Sequence, residues 1–120
     1  MKILALDDEL AVLQALRLIL EDAGHTVDCF QDAELAVAKV QSGGYDFALV
    51  DYHMPEKNGA WFLKNAAIPP TTRTLLLTAY ANRDVINEMF RCGVAGYIIK
   101  PFDQAELLRH LAFHSARGSA

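Results

Sequence analysis

Short segments made almost wholly of apolar residues are the feature that most restricts how this chain can fold. Three of them read ILAL (residues 3–6), FALV (47–50) and TLLL (74–77). A strand with one face in water alternates apolar and polar residues, whereas a strand covered on both faces does not, and strands of the second kind are typical of parallel sheets. Together with two further short segments rich in strand-forming residues they predict five strands, at Lys2–Leu6, Thr26–Phe30, Tyr45–Asp51, Thr74–Thr78 and Gly96–Lys100.

Segments with helical periodicity lie between these strands. The first predicted helix is Leu10–Ala23, which ends at Gly24, and the second is capped by Asp32 and runs to about Gln41. The third is short, starts near Asn58-Gly59 and finishes before Pro69-Pro70. The fourth covers about Arg83–Arg91, and the fifth begins with the capping box Asp103–Glu106. Strands that alternate with helices form βαβ units with right-handed crossovers. The chain is therefore expected to form one α/β domain, a parallel sheet with helices on both faces, with a core over about residues 2–115 and a polar tail at 116–120.

Composition and charge exclude several classes of protein. The net charge of −4 and the absence of a Lys/Arg-rich run argue against direct nucleic-acid binding by this domain, so none is expected. No apolar stretch approaches the roughly 20 residues of a membrane span, and no signal peptide precedes Asp7, so we expect a cytoplasmic protein without membrane contact. Cys29 and Cys92 have no metal-binding spacing and are expected to be buried, unreactive thiols. Three of the four histidines, His25, His110 and His114, are expected on the solvated surface.

Polar side chains follow four of the five predicted strands. Asp7-Asp8-Glu9 comes after the first strand, Asp51 ends the third, Thr78 the fourth and Lys100 the fifth. In parallel α/β sheets, binding sites form beyond the carboxyl ends of the strands. If the strand order is 2-1-3-4-5, the first and third strands are neighbours, and the three aspartates come together.

A cluster of this kind has a definite chemistry. Three carboxylates about 4 Å apart repel by roughly 4 kcal/mol per pair, so they must take up protons or bind a cation, and oxygen ligands suit Mg²⁺. A carboxylate can also accept a phosphoryl group, with Lys100 as a cation and Thr78 as a hydrogen-bond donor. Each residue alone fits an ordinary role as well: a turn or cap for the aspartates and Thr78, and a solvated strand end for Lys100.

The chain resembles the receiver domain of two-component response regulators over about residues 2–115. The resemblance is carried by four motifs in order, namely Asp7-Asp8-Glu9, Leu49–Pro55 with Gly59, Leu77-Thr78-Ala79 and Tyr97–Phe102. It implies a flavodoxin-like (βα)5 fold with sheet order 2-1-3-4-5. It also implies a phosphorylation-activated signalling switch rather than an enzyme that turns over an external metabolite.

The resemblance assigns roles to the residues of the metal site. Asp51 is the implied phosphoacceptor and binds Mg²⁺ (or Mn²⁺) together with Asp8 and the backbone carbonyl of His53, while Asp7 acts through a water. The implied phosphoryl donor is a phosphohistidine on a sensor histidine kinase or a phosphotransfer protein. The implied output is control of an unidentified effector by a monomer or weak dimer.

Further residues are assigned to the switch and to the lifetime of the phosphorylated state. Thr78 and Lys100 would bind phosphoryl oxygens, and Thr78 and Tyr97 would move together, changing the surface of the fourth helix, fifth strand and fifth helix. The alternative for Tyr97 is a half-buried strand aromatic with its hydroxyl in water. The side chains of His53 and Tyr80, each two residues past a key residue, would shield the phosphoryl group and slow its hydrolysis. The Lys100-Pro101 bond is cis in most members of the family.

Some features leave alternatives open. The segment from Gly59 to Thr78 is short for the family, so a shortened third helix is expected, with Trp61 either packed under the loop or in contact with a partner. Two other functions are possible on such a fold. The first is a phosphohydrolase that forms an aspartyl phosphate, but such an enzyme needs an Asp-x-Asp motif and a cap, and this chain has adjacent Asp7-Asp8 instead. The second is a phosphorylation-independent interaction module. The chain is expected to be a single-domain regulator or a piece of a longer one, and Met1 suggests the native N-terminus.

Overall fold

Five strands form the centre of the computed structural model, which describes residues 1–118 of the chain and the side chains of residues 1–115. The strands are β1 (Lys2–Leu6), β2 (Thr26–Phe30), β3 (Phe47–Asp51), β4 (Arg73–Thr78) and β5 (Gly96–Ile99). All four neighbouring pairs are parallel, in the order β2-β1-β3-β4-β5. The predicted fold class and strand order are confirmed.

The helices are α1 (Leu10–Asp22), α2 (Ala33–Val40), α3 (Gly59–Asn65), α4 (Arg83–Arg91) and α5 (Gln104–Gly118). The predicted helix starts are confirmed by capping, because the Oδ1 atoms of Asp32, Asn58 and Asp103 each accept a hydrogen bond from a first-turn backbone N–H at 2.8–2.9 Å. Gly24 follows α1 in the left-handed region, with φ of +91°, as expected for a glycine that ends a helix.

Several boundaries differ from the predicted ones by one to three residues. The strand predicted from Tyr45 begins at Phe47, since the Tyr45 ring is buried and its hydroxyl donates to Asp28 at 2.6 Å. The strand predicted to reach Lys100 ends at Ile99. The Lys100-Pro101 bond is cis. The helix α5 continues through residues 116–118 of the expected tail, and the last two residues lie outside the described part of the chain.

Each face of the sheet buries its own apolar cluster, which confirms that the continuous apolar strands are covered on both sides. Alternate strand residues point to opposite faces, so Leu4 and Leu6 face α2, α3 and α4, whereas Ile3 and Ala5 face α1 and α5. The short α3 contributes Phe62, which is fully buried. Trp61 is half-buried against the same cluster, which agrees with the packing interpretation of this residue.

The expected surface position of His114 is wrong. Its side chain is 7% exposed on α5, which packs beside β5. A Cβ atom added at Gly96 would lie 2.7 Å from Nε2 of His114, so the imidazole occupies the space that any larger residue at position 96 would fill. His25 and His110 are half-buried rather than fully solvated.

The cysteines are free, but neither is fully buried, in contrast to the expectation. Both Cys29 and Cys92 are half-buried. Burial raises the pKa of the Cys29 thiol, more than the neighbouring Arg17 guanidinium lowers it, so this thiol stays protonated. Within residues 1–118, every helix is too short or too polar to cross a bilayer.

Candidate functional site

The sheet register brings the predicted acidic residues together. Leu6 of β1 pairs with Val50 of β3, so Asp7 leaves β1 next to Asp51, which ends β3. Asp7, Asp8 and Asp51 each offer a carboxylate oxygen within 4.8 Å of the others. Asp7 is 0% and Asp51 3% exposed, while Asp8 is half-buried. The three aspartates therefore form one cluster, open to solvent on the side of Asp8.

Lys100 is the cation that faces this cluster. Its Nζ atom donates to Oδ2 of Asp7 at 2.6 Å and to Oδ1 of Asp51 at 3.0 Å, and lies 3.9 Å from Oε1 of Glu9. The backbone N–H of Lys100 donates to the carbonyl of Thr78 at 2.8 Å, which holds the start of the loop after β5 against the end of β4. One ammonium group thus faces several carboxylates, and the cluster keeps a net negative charge.

The pKa values reflect this imbalance. Burial, followed by the charge of Asp7, raises the pKa of Asp51 from 3.8 to about 6, against the opposing effect of Lys100. Burial also raises the pKa of Asp7. Burial alone would lower the pKa of Lys100, but its hydrogen bonds to Asp7 and Asp51 outweigh burial and raise it. The ammonium therefore stays charged, and it does not fully compensate the two buried carboxylates.

The donor set fits a hard divalent cation. The three side chains of the cluster offer only carboxylate oxygens, which Mg²⁺ and Mn²⁺ prefer, and their excess negative charge favours binding of a cation. The backbone carbonyl of His53, the remaining predicted ligand, belongs to the loop that leaves β3 directly after this cluster. The acidic cluster is therefore compatible with Mg²⁺.

Thr78 lies at the end of β4, beside β3. Leu77 pairs with Asp51 in the register, so the next residue of β4 lies at the same edge of the sheet as the acidic cluster. The Thr78 side chain is 0% exposed, and its hydroxyl donates to the carbonyl of Tyr80 at 3.1 Å and accepts from the N–H of Tyr80 at 3.0 Å. Its single proton is thus engaged locally, and Thr78 must release Tyr80 before it can donate to another oxygen.

The side chains of His53 and Tyr80 meet above the strand ends. Their ring centroids lie 5.1 Å apart in an edge-to-face arrangement, and the contact connects the loop after β3 with the loop after β4. Both side chains are exposed, Tyr80 to 65%. The two residues that were predicted to flank the phosphoacceptor are therefore in direct contact with each other.

One interaction near the cluster was not anticipated from the sequence. Tyr52, directly after Asp51, donates its hydroxyl to Oε1 of Glu88 on α4 at 2.8 Å. Its ring also meets the ring of His53 edge to face, with centroids 4.8 Å apart. The position of Tyr52 next to Asp51 is the only signal in the sequence that could have directed attention to it, because Glu88 lies 36 residues away.

Tyr97 lies on β5, away from the acidic cluster. It is half-buried, and its ring meets the ring of Phe90 edge to face at 6.4 Å. Both residues line a groove of about 520 Å³ between α4, β5 and α5. The groove has exposed apolar side chains at Phe90, Ile99 and Phe113. The face that the family resemblance connects with output is thus partly apolar.

Gly59 explains how α3 starts so close to the cluster. A Cβ atom at this position would lie 2.6 Å from the backbone carbonyl oxygen of Asp51. The N–H of Gly59 donates to the carbonyl of Tyr52 at 3.1 Å. A glycine is needed here because the first turn of α3 packs directly on the backbone of the phosphoacceptor candidate.

Comparisons with known proteins agree with this geometry. Residues 3–112 match the family described as the response regulator receiver domain. The chain is 34% identical to chemotaxis protein CheY-3 of Vibrio cholerae over 115 residues, and the matched region covers 92% of this chain and 88% of that protein. It is 31% identical over 107 residues to the transcriptional regulatory protein ResD of Bacillus subtilis, covering 89% of this chain and 45% of that protein.

Solved structures show the same fold. Chemotaxis protein CheY4 of Vibrio cholerae superposes with a TM-score of 0.87 at 31% identity, over 93% of this chain and 96% of that one. A CheY-like receiver domain protein of Methanospirillum hungatei superposes with a TM-score of 0.91 at 27% identity, over 98% and 95%. By its sequence match, its CheY-like flavodoxin fold and its acidic cluster, the chain belongs to the receiver domains of two-component response regulators, which are signalling switches rather than classical enzymes.

Proposed function

We propose that this protein is switched by transfer of a phosphoryl group to Asp51 from a phosphohistidine on a sensor histidine kinase or a phosphotransfer protein. The observation that carries the proposal is the arrangement around Asp51, a buried carboxylate within 4.8 Å of Asp7 and Asp8 and 3.0 Å from the ammonium of Lys100. Such a site supplies a nucleophile and compensates the charge of a phosphoryl group.

The transfer follows from the chemistry of these groups. A carboxylate oxygen of Asp51 attacks phosphorus, the P–N bond of the donor breaks, and its electron pair leaves with the imidazole, which takes up a proton. The product is an acyl phosphate on Asp51. A pKa of about 6 leaves the Asp51 carboxylate ionised, and hence nucleophilic, at neutral pH.

The charge of the phosphoryl group is compensated by the residues around it. Mg²⁺ held by Asp8, Asp51 and the His53 carbonyl, with Asp7 acting through a water, would supply most of the positive charge at the phosphoryl oxygens. Lys100 exchanges its 3.0 Å hydrogen bond to Asp51 for one to a phosphoryl oxygen and keeps Asp7 as its second partner. Lys100 thus keeps two anionic partners, while the phosphoryl group makes the site more negative than the free carboxylate did.

Thr78 converts phosphorylation into a structural change. Its hydroxyl now donates to the carbonyl of Tyr80, so donating to a phosphoryl oxygen breaks this bond and frees the loop after β4. Tyr97 then turns inward behind Thr78, and the surface of α4, β5 and α5 changes and controls an effector. The bistable element is the Thr78 hydroxyl, with two competing acceptors.

His53 and Tyr80 set how long the phosphorylated state lasts. Their rings are in contact and lie in the loops that follow β3 and β4, two residues after Asp51 and Thr78, a position from which they can shield an acyl phosphate on Asp51 from water. Replacing Tyr80 by Ala should therefore speed spontaneous dephosphorylation. An unchanged rate in Tyr80→Ala would remove the shielding role.

We propose further that the protein works in the cytoplasm as a monomer or weak dimer, and that this domain itself does not bind nucleic acid. All of the acidic, hydroxyl and ammonium groups that the chemistry needs lie together at one edge of the sheet, which favours phosphorylation over a phosphorylation-independent interaction module.

The deciding experiment uses small phosphodonors. The protein is incubated with Mg²⁺ and acetyl phosphate, and its intact mass is measured. We expect one hydroxylamine-labile phosphoryl group, absent in Asp51→Asn and present in Asp22→Asn, a matched change at an exposed position at the end of α1. No adduct with either acetyl phosphate or phosphoramidate would refute the proposal and favour the interaction module.

A further inference from the structure

Tyr52 is the residue that connects the phosphoacceptor strand to α4. Its backbone N–H donates to the carbonyl of Leu77 at 3.1 Å, which continues the pairing of β3 with β4 past Asp51. Its hydroxyl donates to Glu88 at 2.8 Å, and Glu88 is braced on its other oxygen by Lys64 of α3 at 3.8 Å. Both ends of Tyr52 are therefore anchored, the backbone on the sheet and the side chain on a helix.

Three aromatic rings form a row that starts at Tyr52. The Tyr52 ring meets the His53 ring at 4.8 Å, with an interplanar angle of 73°, and the His53 ring meets the Tyr80 ring at 5.1 Å and 85°. The edge of one ring therefore faces the next, which is the favourable arrangement for aromatic pairs. The row begins at a half-buried residue and ends at the 65% exposed Tyr80.

The anchor at Tyr52 matters because the outer two rings are exposed. His53 and Tyr80 are both exposed, and the half-buried Tyr52 ring is the inner of the two rings that His53 contacts edge to face. Tyr52 can hold the His53 ring in place only while its own orientation is fixed, by packing of its ring against the core cluster and by the hydrogen bond of its hydroxyl to Glu88. Because the hydrogen bond with Glu88 and burial both raise the pKa of Tyr52, the phenol remains a donor.

We propose that Tyr52, held by Glu88, is a positioning residue that fixes the contact between His53 and Tyr80, the two side chains that we propose shield Asp51, and so slows hydrolysis of the acyl phosphate. The inference rests on the proposed function, because it concerns the lifetime of the phosphorylated Asp51. It adds a residue outside the phosphoryl site, and an anchor on α4, to the groups that determine this lifetime.

The test compares variants that remove or keep the hydrogen bond. Tyr52→Phe keeps the ring but removes the donor, Glu88→Ala removes the acceptor, and Glu88→Gln keeps an acceptor oxygen. After phosphorylation with acetyl phosphate and removal of the donor, loss of the phosphoryl group is followed by intact mass. We expect the first two variants to dephosphorylate about two- to ten-fold faster than wild type, the range that one intramolecular hydrogen bond can produce, and Glu88→Gln to stay close to wild type.

A matched control and a double variant make the result specific. Tyr45 also donates its hydroxyl to a carboxylate, Asp28, at 2.6 Å, but it lies before β3, at the opposite end of that strand from Asp51. Tyr45→Phe should leave the dephosphorylation rate unchanged. The double variant of Tyr52→Phe with Glu88→Ala should be no faster than the quicker single one, since both remove one bond. Wild-type rates in both single variants would overturn the inference.

A second measurement decides the inference without phosphorylation. Nuclear Overhauser contacts between the His53 and Tyr80 rings should weaken in Tyr52→Phe and Glu88→Ala and persist in Glu88→Gln. If the contacts persist in all variants, the positioning role of Tyr52 is refuted, whatever the phosphorylation assay shows. A wild-type protein with these contacts that accepts no phosphoryl group would refute the proposed function instead, so the two failures can be told apart.

Discussion

Replacing Asp51 by Asn should stabilise the metal-free protein at neutral pH. The carboxylate is 3% exposed and shares one ammonium with Asp7, and its pKa in the folded protein is about 6, against an ordinary value of 3.8. The folded protein therefore binds the proton of Asp51 more tightly than the unfolded chain does. The stability that this proton contributes is complete at acidic pH and is lost as the pH rises through about 6.

The magnitude follows from the difference between the two pKa values. One pKa unit corresponds to about 1.36 kcal/mol, so the change from 3.8 to about 6 corresponds to a cost of about 3 kcal/mol for the charged carboxylate at neutral pH. That figure already includes the attraction of Lys100, which lowers the pKa. Since Asn removes the charge and keeps the shape, Asp51→Asn should raise the free energy of unfolding by about 1 to 3 kcal/mol.

Urea unfolding in EDTA at a series of pH values measures this effect. The advantage of Asp51→Asn should be largest above pH 7 and fall to about 1 kcal/mol near pH 4.5, where the folded wild type is protonated at this site. Asp22→Asn, an exposed position, serves as the control and should change stability by no more than about 0.5 kcal/mol at any pH.

Two outcomes would contradict the reasoning. An Asp51→Asn variant that is less stable than wild type at neutral pH would mean that Lys100 compensates the cluster fully. An advantage that does not depend on pH would mean that it arises from packing rather than from the buried charge.

Three further predictions concern the metal, a glycine and a helix cap. Mg²⁺ at about 100 times its dissociation constant should raise the free energy of unfolding by about 2.7 kcal/mol, which thermal unfolding measures. The Asp8→Asn variant should need a much higher Mg²⁺ concentration for the same effect. Gly59→Ala should cost about 1 to 3 kcal/mol in urea, because its Cβ would lie 2.6 Å from the Asp51 carbonyl oxygen. Asn82→Ala should cost about 1 kcal/mol, since the Asn82 side chain accepts the N–H of Val85 at 2.9 Å.

Each of these has a clear contrary result. Equal stabilisation of wild type and Asp8→Asn by Mg²⁺ would place the cation outside the acidic cluster. An unchanged urea midpoint in Gly59→Ala would show that α3 can move away from β3 without cost. An Asn82→Ala variant as stable as wild type would mean that water replaces the cap at the start of α4.

Local pattern explains why most of the fold could be predicted. The apolar runs, the caps at Asp32, Asn58 and Asp103, and Gly24 after α1 act over a few residues, so the chain itself encodes where its elements start and stop. The sequence does not encode a boundary where a side chain takes a partner elsewhere in the chain, as Tyr45 does with Asp28. The sequence also predicts the strand ends that carry the acidic, hydroxyl and ammonium groups, because each of these groups directly follows a run of apolar residues.

Contacts between distant residues could not be read in the same way. Lys100 hydrogen-bonds to Asp7 and to Asp51, which are 93 and 49 residues away, and these distances depend on strand order and register. The bond between Tyr52 and Glu88 depends on how α4 crosses the sheet, and no spacing encodes that crossing. The burial of His114 depends on the missing side chain of Gly96 on a neighbouring strand.

The sequence by itself determined which groups end each strand, and with them the residue types of the candidate phosphoryl site. Only the tertiary structure decided that one ammonium faces two buried carboxylates, that the Thr78 hydroxyl is held by Tyr80, and that Tyr52 is anchored on α4. Local periodicity and capping depend on residues that are close in the sequence, so they can be recognised without the structure. Charge balance and ring contacts arise from atoms that come within a few ångströms only after the sheet has formed.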